Sequence, residues 1–258
     1  MVEYVNVTEL PGCNAHKEQI ERLFQRYHLA LEYCKDKDVL EVACGGGIGL
    51  GYIAKYARKV VGGDIDEKVL EFARRQYENR HNIELKVLDA QQLPFDDKSF
   101  DVVILYESIY YLPSPDRFIK EAHRILRGNG NLLICTVNKD WSDFNPSPHS
   151  QKYFSVPELF TLLSENGFEV KMFGGFPAYS DSFKDKLVSI IKRIAVKLHL
   201  MPKTMKGKEK LKRMFFGRLK QLPPEIYNGI ADYIPPTPIA HHILNKDFKV
   251  VYTVAYVK

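Results

Sequence analysis

The chain has 258 residues, 45% of them hydrophobic and 27% charged, with a formal net charge of +5. That balance excludes a disordered chain, and the absence of a run of about eighteen apolar residues excludes a helical membrane span. Four cysteines (Cys13, Cys34, Cys44, Cys135) form no CxxC pair and no zinc-ligand spacing, so no metal site is expected. Cys44 and Cys135 read instead as small buried thiols. Without a signal peptide, the protein is expected to be cytoplasmic.

In chain order, residues 1–15 read as a loosely ordered arm. Residues 16–34 carry Ile20, Leu23, Phe24, Tyr27 and Leu31 at helical spacing and predict a helix beside the ligand site. Then follow a strand (38–43), a helix (47–57), a strand (59–64), a helix (66–79) and strands at 83–89 and 100–106. A helix (114–126), a strand (131–137), a helix ending at Gly167 and a strand (168–173) come next. The alternating run from Phe248 to Val257 is the last strand. Strands alternating with helices predict an α/β fold with a parallel sheet and helices on both faces. Between the last two strands, residues 178–246 exceed what a simple crossover needs. Apolar residues at 183, 187, 190, 194, 198 and 201 predict an amphipathic helix ended by Pro202, and a second basic helix is expected over 206–221. Residues 184–220 hold thirteen Lys and Arg against Asp185 and Glu209, so the rest of the chain is net −6. This insertion is expected to cap the substrate side of the sheet.

The segment Val39-Leu-Glu-Val-Ala-Cys-Gly-Gly-Gly-Ile-Gly-Leu-Gly51 reads as strand, tight turn and helix, the opening unit of a nucleotide-binding domain. A dinucleotide site would favour a dianion at the helix N-terminus. Glu41, four residues before Gly45, places a carboxylate there instead, which suits a cationic ligand such as S-adenosylmethionine (SAM). Strict GxGxxG is absent. Asp64 closes the next strand, where a carboxylate takes ribose hydroxyls of either cofactor.

These residues resemble the class I SAM-dependent methyltransferases over roughly residues 15–177 and the last strand. Glu41-Val-Ala-Cys-Gly-Gly-Gly is similar to that family's first motif, with Ala43 in place of its first glycine. Val61-Gly-Gly-Asp-Ile65 resembles the ribose-binding segment, and Leu88-Asp-Ala-Gln-Gln-Leu-Pro-Phe95 the segment that meets adenine. Ser99 to Ser108 resembles the fourth strand and its exit, and Arg124-Ile-Leu-Arg-Gly-Asn-Gly130 the turn before the fifth, where Asn129 takes a glycine's left-handed conformation. The resemblance implies a Rossmann-like, seven-stranded, mostly parallel sheet. It implies cofactor contacts from Glu41, Ala43, Gly45, Gly47, Asp64, Ile65, Asp89, Ala90 and Tyr106. Alanine at 43 adds one methyl group and is expected to cost little unless the position needs positive φ.

Methyl transfer to a hydroxyl calls for a positioned acceptor and a general base. The candidate bases are His149, His28 and Glu107; Glu107 is equally suited to order the cofactor's methionine end. Tyr110 and Tyr111 follow the fourth strand, where the family lines its acceptor pocket. Because adjacent tyrosines cannot share one helix face, one is expected in the core and the other on substrate. Val-Val-Gly-Gly-Asp-Ile-Asp, Phe-Asn-Pro-Ser-Pro and Phe-Gly-Gly-Phe-Pro, with the basic insertion, resemble bacterial methyltransferases of polysaccharide biosynthesis. That likeness favours a sugar hydroxyl on a small or lipid-linked glycan. The nearest rival is C-methylation of a quinone-like acceptor. An NAD-dependent enzyme and a non-catalytic SAM-binding protein are the rivals of other classes. The basic stretch 184–220 is read as a solvated surface, an attraction for an acidic acceptor, or a peripheral membrane contact. Nucleic acid is not expected as a partner: no Asn/Asp-Pro-Pro-Tyr segment follows the fourth strand. Three units are expected: a SAM-binding core (1–177), a basic cap (178–246) and a returning strand (247–258).

Overall fold

A computed structural model describes residues 8–147, 149–178 and 219–257. Its elements are β1 (Asn14–Ala15), α1 (Lys17–Cys34), β2 (Asp38–Val42), α2 (Leu50–Ala54), β3 (Lys59–Asp64), α3 (Glu67–Tyr77), β4 (Ile83–Val87) and β5 (Phe100–Tyr106). A 3-10 turn (Ile109–Tyr111) leads to α4 (Pro115–Ile125), β6 (Leu126–Val137), α5 (Val156–Ser164), β7 (Phe168–Pro177), β8 (Lys220–Gln221), β9 (Thr237–Pro238) and β10 (Phe248–Val257). The main sheet runs β4-β3-β2-β5-β6-β10-β7-β9. β4 to β6 pair in parallel, and β10 is antiparallel to both β6 and β7. The seven expected strands are therefore present, and the two-residue β9 adds an eighth at the edge beside β7.

The central strands are buried on both faces, which is why they read as continuous Val/Ile/Leu runs rather than alternating ones. Val39, Leu40, Val102, Val103, Ile104 and Leu105 are all fully buried. One face packs against α1, α2 and α3, the other against α4 and α5. α1 begins at a capping box: the His16 side chain accepts from the Gln19 N–H, and Gln19 Oε1 accepts from the His16 N–H. Such a box contributes about 1 kcal/mol to the helix end. Asn129 has φ 64°, so the turn entering the fifth central strand takes the left-handed conformation expected of it.

Several expectations are corrected. The predicted helix 47–57 is helical only over Leu50–Ala54, because the glycine turn occupies the residues before it and a Tyr56 N–H to Ile53 C=O bond tightens its end. The predicted strand 131–137 starts earlier, at Leu126. The described part of the arm, from Thr8, packs against the rest of the fold rather than lying loose. Leu10 is buried, and the Gly12 N–H to Leu222 C=O and Leu222 N–H to Cys13 C=O bonds tie it to the returning chain. Of the predicted helix 206–221, residues 206–218 lie outside the described residues, and Lys220 and Gln221 are strand, pairing antiparallel with Ala15 and Asn14.

Most of the basic insertion, including residues 183–201 where an amphipathic helix was expected, lies outside the described residues. Its described part, 219–246, does not cover the substrate side. Leu222 and Ile226 enter the core beside α1 and α2, Glu225 pairs with Lys55 (2.7 Å) and Arg80 (2.9 Å), and Gln25 exchanges hydrogen bonds with the backbone of Ile234. No described helix is long and apolar enough to cross a membrane.

Candidate functional site

The order β3-β2-β5 puts the first strand in the middle of the parallel sheet, with the chain leaving to either side. Ligands bind in the crevice beyond the strand ends at such a point. A cavity of about 430 Å³ opens there. The ends of β2, β3, β4 and β5 form its floor, α1 one wall, Thr8 and Glu9 of the arm another, and residues 110–113 a third.

The loop after β2 is shaped by its neighbours. Cys44 donates its N–H to Gly63 C=O (3.0 Å), and Gly45 donates to Asp64 Oδ2 (2.9 Å). Asp64 Oδ1 also accepts from the Asp66 N–H (3.0 Å), so one carboxylate braces both the loop and the start of α3. Gly45 has φ 57°, and a Cβ there would lie 2.8 Å from Thr8 Cγ2. No side chain fits between loop and arm.

Ala43 has φ 55°. The condition under which its methyl group is costly is therefore met, because an L-residue in the left-handed region is strained by about 1–2 kcal/mol. Glycine would relieve that strain but lose about 0.5–1 kcal/mol in unfolded-state entropy. Ala43→Gly is expected to stabilise the fold by roughly 0.5–1 kcal/mol in urea denaturation; a destabilised variant would show that the strain is not stored there.

Gly47 corrects a cofactor-contact expectation. It does not line the cavity; with φ 74°, it lies under α3, where a Cβ would sit 2.7 Å from Ala73 Cβ. Its carbonyl accepts from the Tyr77 hydroxyl (2.8 Å). Gly47→Ala is expected to cost roughly 2–4 kcal/mol, from left-handed strain plus overpacking. Unchanged denaturation midpoints would sink that packing account.

Glu41 is buried at the end of β2. Tyr27 of α1 donates its hydroxyl to Glu41 Oε1 at 2.5 Å, while Oε2 is buried with no hydrogen-bond partner among the described residues. Burial lifts the Glu41 pKa from its ordinary 4.5 to about 7, against the downward pull of the Tyr27 bond and Arg26. Asp64 is also raised, again first by burial. Asp89 uses Oδ1 for the Gln91 N–H (2.8 Å) and, with Ile65 and Ala90, lines the same end of the cavity. The Tyr106 hydroxyl is buried without a hydrogen-bond partner among the described residues, its ring edge-on to Tyr27 at 5.4 Å.

At the opposite end, Glu107 follows β5 with φ 51°, a strained conformation for glutamate. Burial raises its pKa above the usual carboxylate range, partly offset by Arg26 and Arg22. Tyr110 donates its hydroxyl to Glu107 Oε2 (3.1 Å), and its ring stacks on Tyr153 at 4.5 Å. Tyr111 and Ser147 share a hydroxyl–hydroxyl bond of 2.6 Å. As expected of one of the pair, Tyr110 is buried in the core, with Tyr111 partly buried against it; both also line the cavity. They sit on a 3-10 turn, whose tighter winding does not impose the helix-face rule used for an α-helix.

Neither candidate histidine reaches this space. His28 projects from α1 away from the cavity, its Nδ1 2.8 Å from the Tyr52 hydroxyl and its ring 4.2 Å from that of Tyr233. His149 is exposed on a turn with φ 71° and does not line the cavity, although Ser147 of the same loop meets Tyr111.

The helix was expected beside the ligand site, but its lining side chains Gln19, Arg22, Arg26 and Tyr27 were not singled out as site residues. Arg26 is buried and paired with Glu9 (2.8 Å); Arg22 pairs with Glu18 (2.6 Å). Arg22 and Arg26 are four apart and flank the apolar Leu23 and Tyr27, a signal that places them on one helix face.

Residues 40–134 match the methyltransferase domain family. Over 150 residues the chain is 35% identical to a probable S-adenosylmethionine-dependent methyltransferase of Mycobacterium tuberculosis, covering 55% of this chain and 53% of that protein. It is 31% identical over 148 residues to a ubiquinone biosynthesis O-methyltransferase of Coxiella burnetii, covering 52% of this chain and 63% of the relative. The chain thus spans about half to two thirds of the length of these relatives. In fold it is similar to a SAM-dependent methyltransferase of Thermotoga maritima. The TM-score is 0.57 at 18% identity, covering 93% of this chain and 96% of the other.

Proposed function

We propose that this chain, which carries a methyltransferase domain over residues 40–134, transfers a methyl group from SAM to a hydroxyl of a small acceptor. The observation that carries this reading is the charge of the two cavity ends. Around the loop after β2 the charged lining groups among the described residues are Glu41, Asp64 and Asp89, and the lining arginines among the described residues come from α1. Carboxylates there favour a cation and oppose a pyrophosphate, which argues against the NAD reading. The orphaned Glu41 Oε2 and the Gly45 cradle fit a SAM molecule. When bound, SAM supplies an electrophilic methyl group on a sulfonium sulfur.

The rest of the chemistry falls to the protein. Glu41 and Tyr27 hold the positive end of the cofactor, with Asp64 toward ribose, Ile65, Asp89 and Ala90 toward adenine, and Ala43, Gly45 and Tyr106 completing the contacts. Glu107 takes the acceptor's proton at Oε1, while Tyr110 fixes its Oε2. The role of base passes from His149 and His28, which lie outside the cavity, to Glu107. Tyr110 and Tyr111 form the acceptor wall. Aligning hydroxyl and methyl carbon supplies much of the rate.

The favoured acceptor is a sugar hydroxyl, small or lipid-linked, in glycan biosynthesis; tyrosine rings beside carboxyl and hydroxyl groups suit a sugar. A ring hydroxyl of a quinone precursor is the second reading, supported by the Coxiella relative and the stacked Tyr110–Tyr153 pair. A base at Glu107 disfavours C-methylation, which needs none on an activated ring. Calorimetry with SAM, S-adenosylhomocysteine and NAD tests the cofactor: NAD binding without SAM binding ends this reading. Methyl transfer to a panel of glycosides and phenols then separates the acceptors, and binding without transfer to any leaves a non-catalytic SAM-binding protein.

A further inference from the structure

The main sheet ends on one side at β4, whose outer edge has no strand beside it among the described residues. Its bonds to β3 fix which backbone groups face that edge. Val60 donates its N–H to Asn82 C=O (2.8 Å), and Leu88 donates to Asp64 C=O (3.0 Å). Backbone groups alternate sides along a strand, so Glu84 and Lys86 also face β3, while Ile83, Leu85 and Val87 face outward. The Ile83 N–H turns back to Arg80 C=O (3.0 Å). The Ile83 carbonyl and both backbone groups of Leu85 and Val87 are left open on the edge. The side chains of Glu84 and Lys86 share one face of the strand, 2.9 Å apart and each 40% exposed. Lys59 of β3 takes the other Glu84 oxygen at 2.7 Å.

A lysine on an edge strand ordinarily discourages pairing. Ile83-Glu-Leu-Lys-Val87 differs in that its two charges are opposite and lie symmetrically about Leu85. The open groups sit on alternate residues, so an antiparallel copy can match only 83, 85 and 87 with one another. With Leu85 opposite Leu85, Glu84 of each copy faces Lys86 of the other, and Ile83 faces Val87. A slip of two residues either way sets Glu84 against Glu84 or Lys86 against Lys86. Charge therefore selects a single register. The Glu84–Lys86 positions also fall between hydrogen-bonded pairs, where facing side chains approach most closely.

We propose that β4 is the seam of a symmetric homodimer, in which two copies join edge to edge into one continuous sheet. The Leu85 pair exchanges its N–H and C=O groups, and the Val87 N–H of each copy reaches the Ile83 carbonyl of the other. The copies run antiparallel, so their cavities, beyond the C-terminal strand ends, open at opposite ends of the shared sheet. Neither obstructs the other.

Sedimentation equilibrium on the full chain is expected to show monomer and dimer exchanging. E84K sets lysines against each other across the seam and K86E sets glutamates, and each should weaken the dimer about tenfold. Mixed in equal parts, the two variants should associate, because one edge is then basic and the other acidic. A fold defect could not be rescued in that way. E84K/K86E, which exchanges the charges within one chain, should dimerise as the parent does. V87P removes an outward N–H without breaking a bond of the sheet, and should weaken the dimer with the far-UV circular dichroism unchanged. A chain that stays monomeric at about 100 µM overturns the proposal and leaves the edge to a strand of another protein. A dimer that E84K, K86E and V87P all leave intact lies elsewhere on the molecule and overturns it too. So does a mixture of E84K and K86E that fails to associate.

Discussion

Glu107→Gln is expected to lower kcat by about 10²–10⁴-fold while leaving S-adenosylhomocysteine affinity within about twofold. Glutamine keeps the shape of the side chain and an oxygen to accept from Tyr110, but it cannot take a proton. The loss should therefore fall on kcat and not on cofactor binding. The pH profile gives a second readout. A base works only when deprotonated, and burial moves the Glu107 pKa above the usual carboxylate range. Activity should rise with pH through a midpoint higher than an exposed glutamate would give, and that rise should vanish in Glu107→Gln. His149→Ala and His28→Ala should leave the limb in place, since neither side chain lines the cavity. If either histidine variant removes it and Glu107→Gln does not, the base has been misassigned.

Glu41→Gln is expected to weaken SAM by tenfold or more above pH 7, about 1.4 kcal/mol. The ionised carboxylate attracts a cation, and Glu41 ionises only as pH passes about 7. Parent affinity for SAM should climb through that pH, while the variant stays flat. S-adenosylhomocysteine, which lacks the sulfonium charge, should respond less.

Stability moves the other way. A carboxyl whose pKa rises from 4.5 unfolded to about 7 folded binds more protons in the native state between those values. Native stability therefore falls as pH climbs through that window, by on the order of 3 kcal/mol from this group. Glu41→Gln removes that decline, so urea denaturation at pH 5 and pH 8 should show the variant gaining on the parent at the higher pH. A carboxylate kept where it destabilises the empty fold is what a cation site requires. Parallel pH dependence in both proteins would mean that Glu41 is not the titrating group.

The strands were legible because burial on both faces writes itself into runs such as Val102 to Leu105, and the last strand because Phe248 to Val257 is long and rich in β-branched residues. Glu41, Asp64 and Asp89 were legible for a related reason: each sits at or just past the end of a strand, where the chain order of an open α/β sheet fixes its place. The α1 wall was not. A helix face that lines a polar cavity has the same spacing and composition as one that meets water, so nothing in the sequence set Arg22 and Arg26 apart. Tyr27 read as core, and its bond to Glu41 joins residues fourteen apart whose meeting depends on how α1 packs on the sheet. The histidines were chosen on chemistry alone, and their distance from the cavity comes from tertiary contacts, Tyr52 and Tyr233 for His28. The tyrosine pair divided as expected, Tyr110 in the core and Tyr111 half-buried, but their 3-10 turn lets both also line the cavity.

The position of β10 bears on how such a chain assembles. Strands β4, β3, β2, β5 and β6 can pair with one another as synthesis proceeds, each meeting a neighbour already made. β7 cannot join them, because its partner on that side is β10, which enters between β6 and β7. Until residues 248–257 arrive, β6 and β7 each present an unsatisfied edge, the form of sheet most prone to pair with another chain. Closure is then a single late event that joins two preformed parts of the sheet. A polypeptide stopped short of Phe248 would hold every described residue that lines the cavity and still have a sheet in two pieces.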